Sequence, residues 1–299
     1  MELKKVDTFE KISIVTMCFN MGMDRLSRVK KDTRSDYYEY YVKSLMNIHK
    51  MFDNIICFCD KECADYLKRS GISEHYYIVE MEFTELPFYE KKDVFSKAYE
   101  DMQRHVTFLR NIYYPRKRHG SCIVKFPEQA SADELAEYTV INHSKVSLLN
   151  RATKINPFKT NYFYWLDAGC LQERYAIFWD KFDYCFKHVP QGIRISINAS
   201  YINKFRMTFR WTLTNIAYCW ISDQMAAPIF GGDIQSIKKF EDNYRNTIHL
   251  FLKHGLISSE QAIITYMLKL YTKDFDVAEG LRGYHSIVHD IGSAPRFII

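Results

Sequence analysis

Long apolar runs are missing from this sequence. No stretch approaches the roughly 18 uncharged apolar residues that a membrane-spanning helix needs, although 47% of the 299 residues are hydrophobic. The first residues, Met-Glu-Leu-Lys-Lys-Val-Asp, carry no apolar core of a secretory signal. The expectation is a cytoplasmic protein without a transmembrane segment, with a peripheral contact to a membrane surface left open. Glycine (11) and proline (7) are scarce, and there is no linker, repeat or low-complexity tract, so one domain over residues 1–299 is expected. A strong charge of one sign is also missing. The net charge of +5 suits an anionic small molecule such as a nucleotide diphosphate. It falls short of the dense basic stripe that marks nucleic-acid binding, so no nucleic-acid partner is expected. One basic run, Arg116 to His119 after Tyr113-Tyr114-Pro115, reads first as a solvated loop and second as a phosphate or membrane-surface contact.

Several catalytic templates are absent too. No G-x-G-x-x-G follows the first strand, no G-x4-G-K-[ST] occurs, and no G-x-S-x-G marks a hydrolase elbow. Dehydrogenase, P-loop and hydrolase readings fall away. Of the 8 cysteines, Cys57, Cys59 and Cys63 are close in sequence, but no second pair completes a zinc pattern. They read as buried thiols in a reducing compartment.

What is present alternates. Ile12–Phe19, Asn54–Cys59 and His75–Met81 are short, apolar, β-branched runs that read as strands. Between them, Tyr37–Phe52 and Lys61–Arg69 show helical spacing. This order predicts an α/β fold with a mostly parallel central sheet flanked by helices. Tyr89–Phe108 reads as a helix, and Asn111–Ala130 as an irregular basic loop. Ser131 and Glu134 form a capping box that starts a helix running to about Ile155. Asn161–Leu166 is then an aromatic strand stopped by Asp167-Ala168-Gly169. Further on, Gly192–Ser200 and Phe209–Ile221 read as strands, and Pro228–Asp233 as a strand end or turn. Ile234–His254 and Ser258–Leu270 read as helices, the second opened by Ser258 and Gln261 as a capping box. The last thirty residues read as an irregular tail.

Five places could carry chemistry. Asp167, at the C-terminal end of a parallel strand, could bind a divalent cation or a ribose hydroxyl, with Gly169 allowing close approach; a turn Asp is the plainer alternative. Lys145 lies 22 residues upstream and could reach a diphosphate as a point charge, or face solvent. Gly231-Gly232-Asp233 suggests a tight backbone approach, with Asp233 either a catalytic group or a helix N-cap. Glu260 is a second catalytic candidate, or a carboxylate favouring a helix N-terminus. His285, four residues before His289, could complete a metal site with Asp167, or be one of two exposed histidines.

Four segments together resemble the HtrL/YibB-like family, which is grouped with the GT-A type of glycosyltransferase. They are Ile14-Val-Thr-Met-Cys-Phe with Arg25; Tyr37 to Phe58; His143-Ser-Lys145 through Asn156-Pro157 to Tyr164-Trp-Leu-Asp167-Ala-Gly169; and Phe230-Gly-Gly232 followed by Ser259-Glu-Gln261. The third is the specific one. The resemblance implies a GT-A-like nucleotide-binding sandwich, with a nucleotide-binding half (1–170) and an acceptor half with C-terminal tail (171–299). It implies transfer of a sugar from a nucleotide-diphosphate donor to a glycan, lipid-linked or other hydroxyl acceptor. A non-catalytic sugar-nucleotide or glycan-binding relative is the alternative. In that family type an Asp-x-Asp motif holds Mn²⁺ or Mg²⁺; here Asp167-Ala168-Gly169 keeps only the first Asp. The resemblance also implies that the loop after the first strand (Thr16, Met17, Cys18) lies near the base and ribose, with Arg25 among the donor-binding residues. Lys145 and Asp167 would lie near the diphosphate, and Gly231, Gly232 and Asp233 near the transferred sugar or acceptor.

Overall fold

The computed structural model describes residues 12–20, 37–50, 52–113, 130–169, 195–199, 212–218 and 226–279. Seven strands form one sheet: β1 (Ile12–Cys18), β2 (Ile55–Cys59), β3 (Tyr76–Glu80), β4 (Tyr162–Leu166), β5 (Ile195–Ala199), β6 (Ala226–Asp233) and β7 (Phe275–Glu279). Their order across the sheet is β3-β2-β1-β4-β6-β5-β7. The β1, β2, β3 and β4 pairings are parallel, as is β5 with β7; β6 runs against both β4 and β5. The chain is a mixed α/β protein with a mostly parallel central sheet flanked by helices.

Strict alternation along the strands divides the core in two. Val15, Met17, Ile56, Phe58, Phe163, Trp165 and Phe230 point to one face. There they meet α3 (Lys92–Tyr113), α4 (Ala132–Ile155), α6 (Ile234–Lys253) and α7 (Glu260–Leu270). Ile12, Ile14, Cys18, Cys57, Cys59 and Leu166 point to the other, against α1 (Tyr37–Ile48) and α2 (Lys61–Arg69). Every β2 side chain is buried, as expected of a parallel strand covered on both faces. The apolar stretch Ile55-Ile56-Cys57-Phe58-Cys59 meets that demand, with cysteine acting as a small hydrophobe. Hydrogen bonding to Cys63 and burial push the Cys18 thiol well up, and hydrogen bonds to Cys59 and Cys63 together with burial do the same for Cys57.

Helix ends follow from their residues. Ser131 accepts from the Glu134 amide, and Glu134 returns a carboxylate to the Ser131 amide, which starts α4 where the capping box predicts. The helix stops at Asn156, whose backbone is left-handed (φ 37°). The Asn156 side chain then accepts from the Thr160 amide and donates to its carbonyl, folding the chain straight into β4.

Three expectations are corrected. Phe209–Ile221 is not a strand over its described part: 212–218 holds the short helix α5 (Leu213–Tyr218). Ile216 and Ala217 bury against α7, so tertiary packing overrides the β-leaning local composition. The last thirty residues are not all irregular, because Phe275–Glu279 pairs along β5. The cap of α7 is Ser259, which accepts from the Ala262 amide, and not Ser258 with Gln261. Among the described residues no helix is long and apolar enough to cross a membrane.

Candidate functional site

From β1 the chain proceeds to β2 on one side of the sheet, while β4 pairs on the other. The C-terminal ends of β1 and β4 therefore flank a topological switch point, the place where open α/β sheets bind ligands. Asp167 follows the last residue of β4 and sits there.

Its neighbours arrive by matched lengths. From Lys145 to the end of α4 is about 15 Å of helix, and from Tyr162 to Asp167 is about 16 Å of strand. The helix descends along the sheet and the strand climbs back, so Lys145 returns to the level of Asp167. Its Nζ lies 2.9 Å from Oδ1 and 3.0 Å from Oδ2 of Asp167. The same ammonium donates to Glu260 Oε1 at 3.0 Å. Trp165, two residues back and so on the same strand face, donates its indole N–H to Asp167 Oδ1 at 2.7 Å.

Exposure orders the three charges. The Lys145 and Glu260 side chains are 6% and 8% exposed, Asp167 27%. Asp167 is thus the outward member, with the ammonium behind it. Burial alone would lower the Lys145 pKa, but the charges of Asp167 and Glu260 reverse this and hold it above the usual lysine range. Beneath the triad, His143 is fully buried. Its Nε2 faces the carbonyl of Ser258 at 3.0 Å, which can only accept, so Nε2 carries the proton and Nδ1 accepts from the Tyr244 hydroxyl. Burial, more than anything else, pushes its pKa down to about 3. His143 thereby ties α4 to α6 and to the segment leading into Glu260.

The other expected residues fall elsewhere. Thr16, Met17 and Cys18 are buried inside β1 and do not form the loop after it; that segment begins at Phe19 and Asn20. Asn20 reaches across to the start of α2: its amide donates to the N-cap Asp60, and its side chain to Glu62 at 2.9 Å. Asp233 stands opposite Tyr162 in the register, at the far end of β4 from Asp167. It accepts from the Ser236 amide at 2.7 Å as the N-cap of α6. Gly231 and Gly232 lie mid-strand opposite Tyr164 and Phe163. A Cβ on Gly231 would come within 2.2 Å of the Phe163 carbonyl oxygen and 2.7 Å of Tyr164. The close approach there is to the neighbouring strand, not to a ligand. Gly169 is buried beside Asp167. Lys145 points inward to its two carboxylates and not out toward a diphosphate. Arg25, His285 and the run Arg116 to His119 lie outside the described residues. Trp165 belongs to the sequence motif but carries no role there, although its two-residue spacing from Asp167 is the signal that places both on one face.

The described residues do not fit a divalent cation at Asp167. Oδ1 already accepts from Trp165 and faces Lys145, Oδ2 accepts from Lys145, and the carboxylate of Glu260 is bound to the same ammonium. Among the described residues no three His, Cys, Asp or Glu side chains are arranged to hold a metal. What the edge does offer is one acceptor direction on Oδ2, suited to a hydroxyl donor.

No curated protein matches this sequence significantly. Among solved structures, one similar chain is mouse xyloside xylosyltransferase 1 in its apo form, at 12% identity and a TM-score of 0.37, over 89% of this chain and 84% of that one. The likeness is too slight to carry an argument about function. The sequence profile described as "Bacterial protein of unknown function (HtrL_YibB)" matches residues 10–284. With nearly the whole length matched, the chain belongs to the HtrL_YibB family.

Proposed function

We propose that this protein is a sugar-nucleotide-dependent glycosyltransferase that moves a sugar from a nucleotide-diphosphate donor to a hydroxyl of a glycan or lipid-linked acceptor. The observation that carries the reading is the Asp167–Lys145–Glu260 triad at the switch point of the sheet. Burying a lysine with a carboxylate costs desolvation that stability alone does not reward. Such a network, placed at the ligand-binding edge with one oriented, outward carboxylate, is what a binding site for polar groups requires. In this reading Asp167 accepts a hydrogen bond from a hydroxyl of the donor, either its ribose or its sugar. Trp165 and Lys145 fix the direction of that bond. Glu260 positions Lys145 and is too buried to serve an acceptor hydroxyl, and Asp233 is spent as a cap, so neither acts as general base. The four adjacent buried cysteines, free in this structure, favour action in a reducing compartment such as the cytoplasm.

The test is a thermal-shift screen with UDP, GDP, CMP and their sugars on wild type and Asp167→Asn. A ligand that binds only the folded state raises stability. A shift with one nucleotide family that weakens in Asp167→Asn, followed by release of that nucleotide in the presence of a hydroxyl acceptor, supports the reading. Binding without release in any acceptor mixture points to a sugar-nucleotide-binding relative without activity. No shift with any nucleotide removes the donor site.

A further inference from the structure

A carboxylate pair at a sheet edge ordinarily draws in a cation, and here the cation is already part of the chain. The Lys145 nitrogen is 2.9–3.0 Å from Asp167 and 3.0 Å from Glu260. The two carboxylates therefore converge on one point, with oxygens no more than about 6 Å apart, so that a closure of about 1–2 Å would bring them to the at most about 5 Å that two oxygen ligands of one divalent cation span. Their origins differ. Lys145 and Asp167 are 22 residues apart, whereas Glu260 comes from 115 residues further along. The cage is thus closed by a tertiary contact and not by the helix–strand unit alone. The segment that carries it is secured by the His143 hydrogen bond to Ser258 and the Ser259 cap.

We propose that the Lys145 ammonium is the resident cation of this site. It stands between Asp167 and Glu260 where a divalent cation would otherwise sit, so the site is metal-independent, and removing the ammonium uncovers a metal site that the wild-type protein lacks. The charge argument is simple. With Lys145 the three groups sum to one negative charge; without it they sum to two, converging on a space the side chain has vacated. A hard divalent cation with oxygen ligands answers that arrangement. With Lys145 present, the same cation would face an ammonium within a few ångströms in a poorly solvated setting, where like-charge repulsion is large. The proposal concerns the edge on which the functional reading rests but does not require that reading, because it is tested without nucleotide.

The test uses Mn²⁺ as the probe, its free concentration followed by electron paramagnetic resonance, with thermal stability in Mn²⁺ and in EDTA as a second readout. Wild type is expected to show no site that depends on Asp167, and equal stability in both buffers. Lys145→Ala is expected to gain one Mn²⁺ site, on the order of a hundredfold tighter than the nonspecific Mn²⁺ binding of wild type, and to be stabilised by the metal. Lys145→Ala combined with Asp167→Asn is expected to lose that gain, which separates the carboxylate cage from binding elsewhere on the surface. A wild-type Mn²⁺ site abolished by Asp167→Asn overturns the proposal. So does a folded Lys145→Ala protein that binds no more Mn²⁺ than wild type. The wild-type titration needs no substitution and decides alone if Lys145→Ala does not fold. Loss or retention of nucleotide binding does not bear on any of these outcomes, so failure here and failure of the transferase reading are told apart.

Discussion

Trp165 and Asp167 divide their work by atom. The Trp165 ring is wholly buried and stacks on Phe230 with centroids 6.3 Å apart, while its single N–H goes to Asp167. Trp165→Phe keeps an aromatic ring in the core, removes that bond and leaves a small void. We expect a stability loss of about 1–3 kcal/mol by urea denaturation, and about tenfold weaker binding of whichever nucleotide the wild type recognises. Equal nucleotide affinity in the variant would mean that the orientation of Asp167 is set by Lys145 alone. Asp233 supplies the contrast. Asp233→Ala removes a cap and is expected to cost about 1 kcal/mol, while nucleotide affinity stays at the wild-type level by calorimetry. At Gly231, a methyl group has backbone on its far side and cannot be accommodated by rotating a side chain. Gly231→Ala is expected to destabilise by about 1–3 kcal/mol without ligand present. Cys18, Cys57, Cys59 and Cys63 are all buried, so native labelling with iodoacetamide read by mass spectrometry should leave these four unmodified.

At the level of elements, local signals were legible wherever chain and neighbours made the same demand. The first three strands and α2 lie within a residue or so of their sequence-derived limits, because apolar runs bounded by Asp60 and Gly71 admit one reading. α4 starts at its capping box, and Ile155 ends it. The site was half legible. Asp167 and Lys145 could be put near one another because one helix–strand unit contains both. The pairing of Lys145 with Glu260 could not, since nothing local links positions 115 apart. For the same reason Asp233 and Gly231 looked like site residues. Their place at the far end and middle of β4 follows from β6 running antiparallel, and no motif announces strand direction. α5 shows the reverse failure: a β-leaning composition gave way to a helical contact with α7. Removing the start signal of α4 tests how much that element relies on it. Ser131→Ala should cost about 1 kcal/mol in urea, while nucleotide binding, which involves Lys145 some twenty ångströms along the helix, stays at the wild-type level.

The whole molecule inherits a pH dependence from His143. Its folded pKa, pushed down to about 3, lies below the ordinary value near 6.5. The unfolded chain therefore takes up a proton that the folded chain refuses. Above about pH 6.5 this group leaves stability untouched; below it, stability falls by about 1.4 kcal/mol per pH unit until the folded pKa is reached. Urea denaturation of wild type and His143→Gln between pH 7 and pH 4 should show that the variant, whatever its starting stability, loses about 1.4 kcal/mol less per unit. Parallel curves would mean that His143 can be protonated without unfolding.

The helix that follows Asp233 acts as a ruler for the triad. α6 starts at the end of the sheet remote from Asp167 and runs antiparallel to α4, as the contacts of Asn150 with Glu241 and Arg245 with Ser147 show. Its 20 residues make about 30 Å, enough to carry the chain back up past the site before Gly255, at φ +67°, turns it down into Glu260. One turn more or less would displace Glu260 from Lys145 by about 5 Å while changing no charged residue. The electrostatics of the site are therefore written partly as a length, and insertions in a helix that touches no ligand would be read out at Asp167.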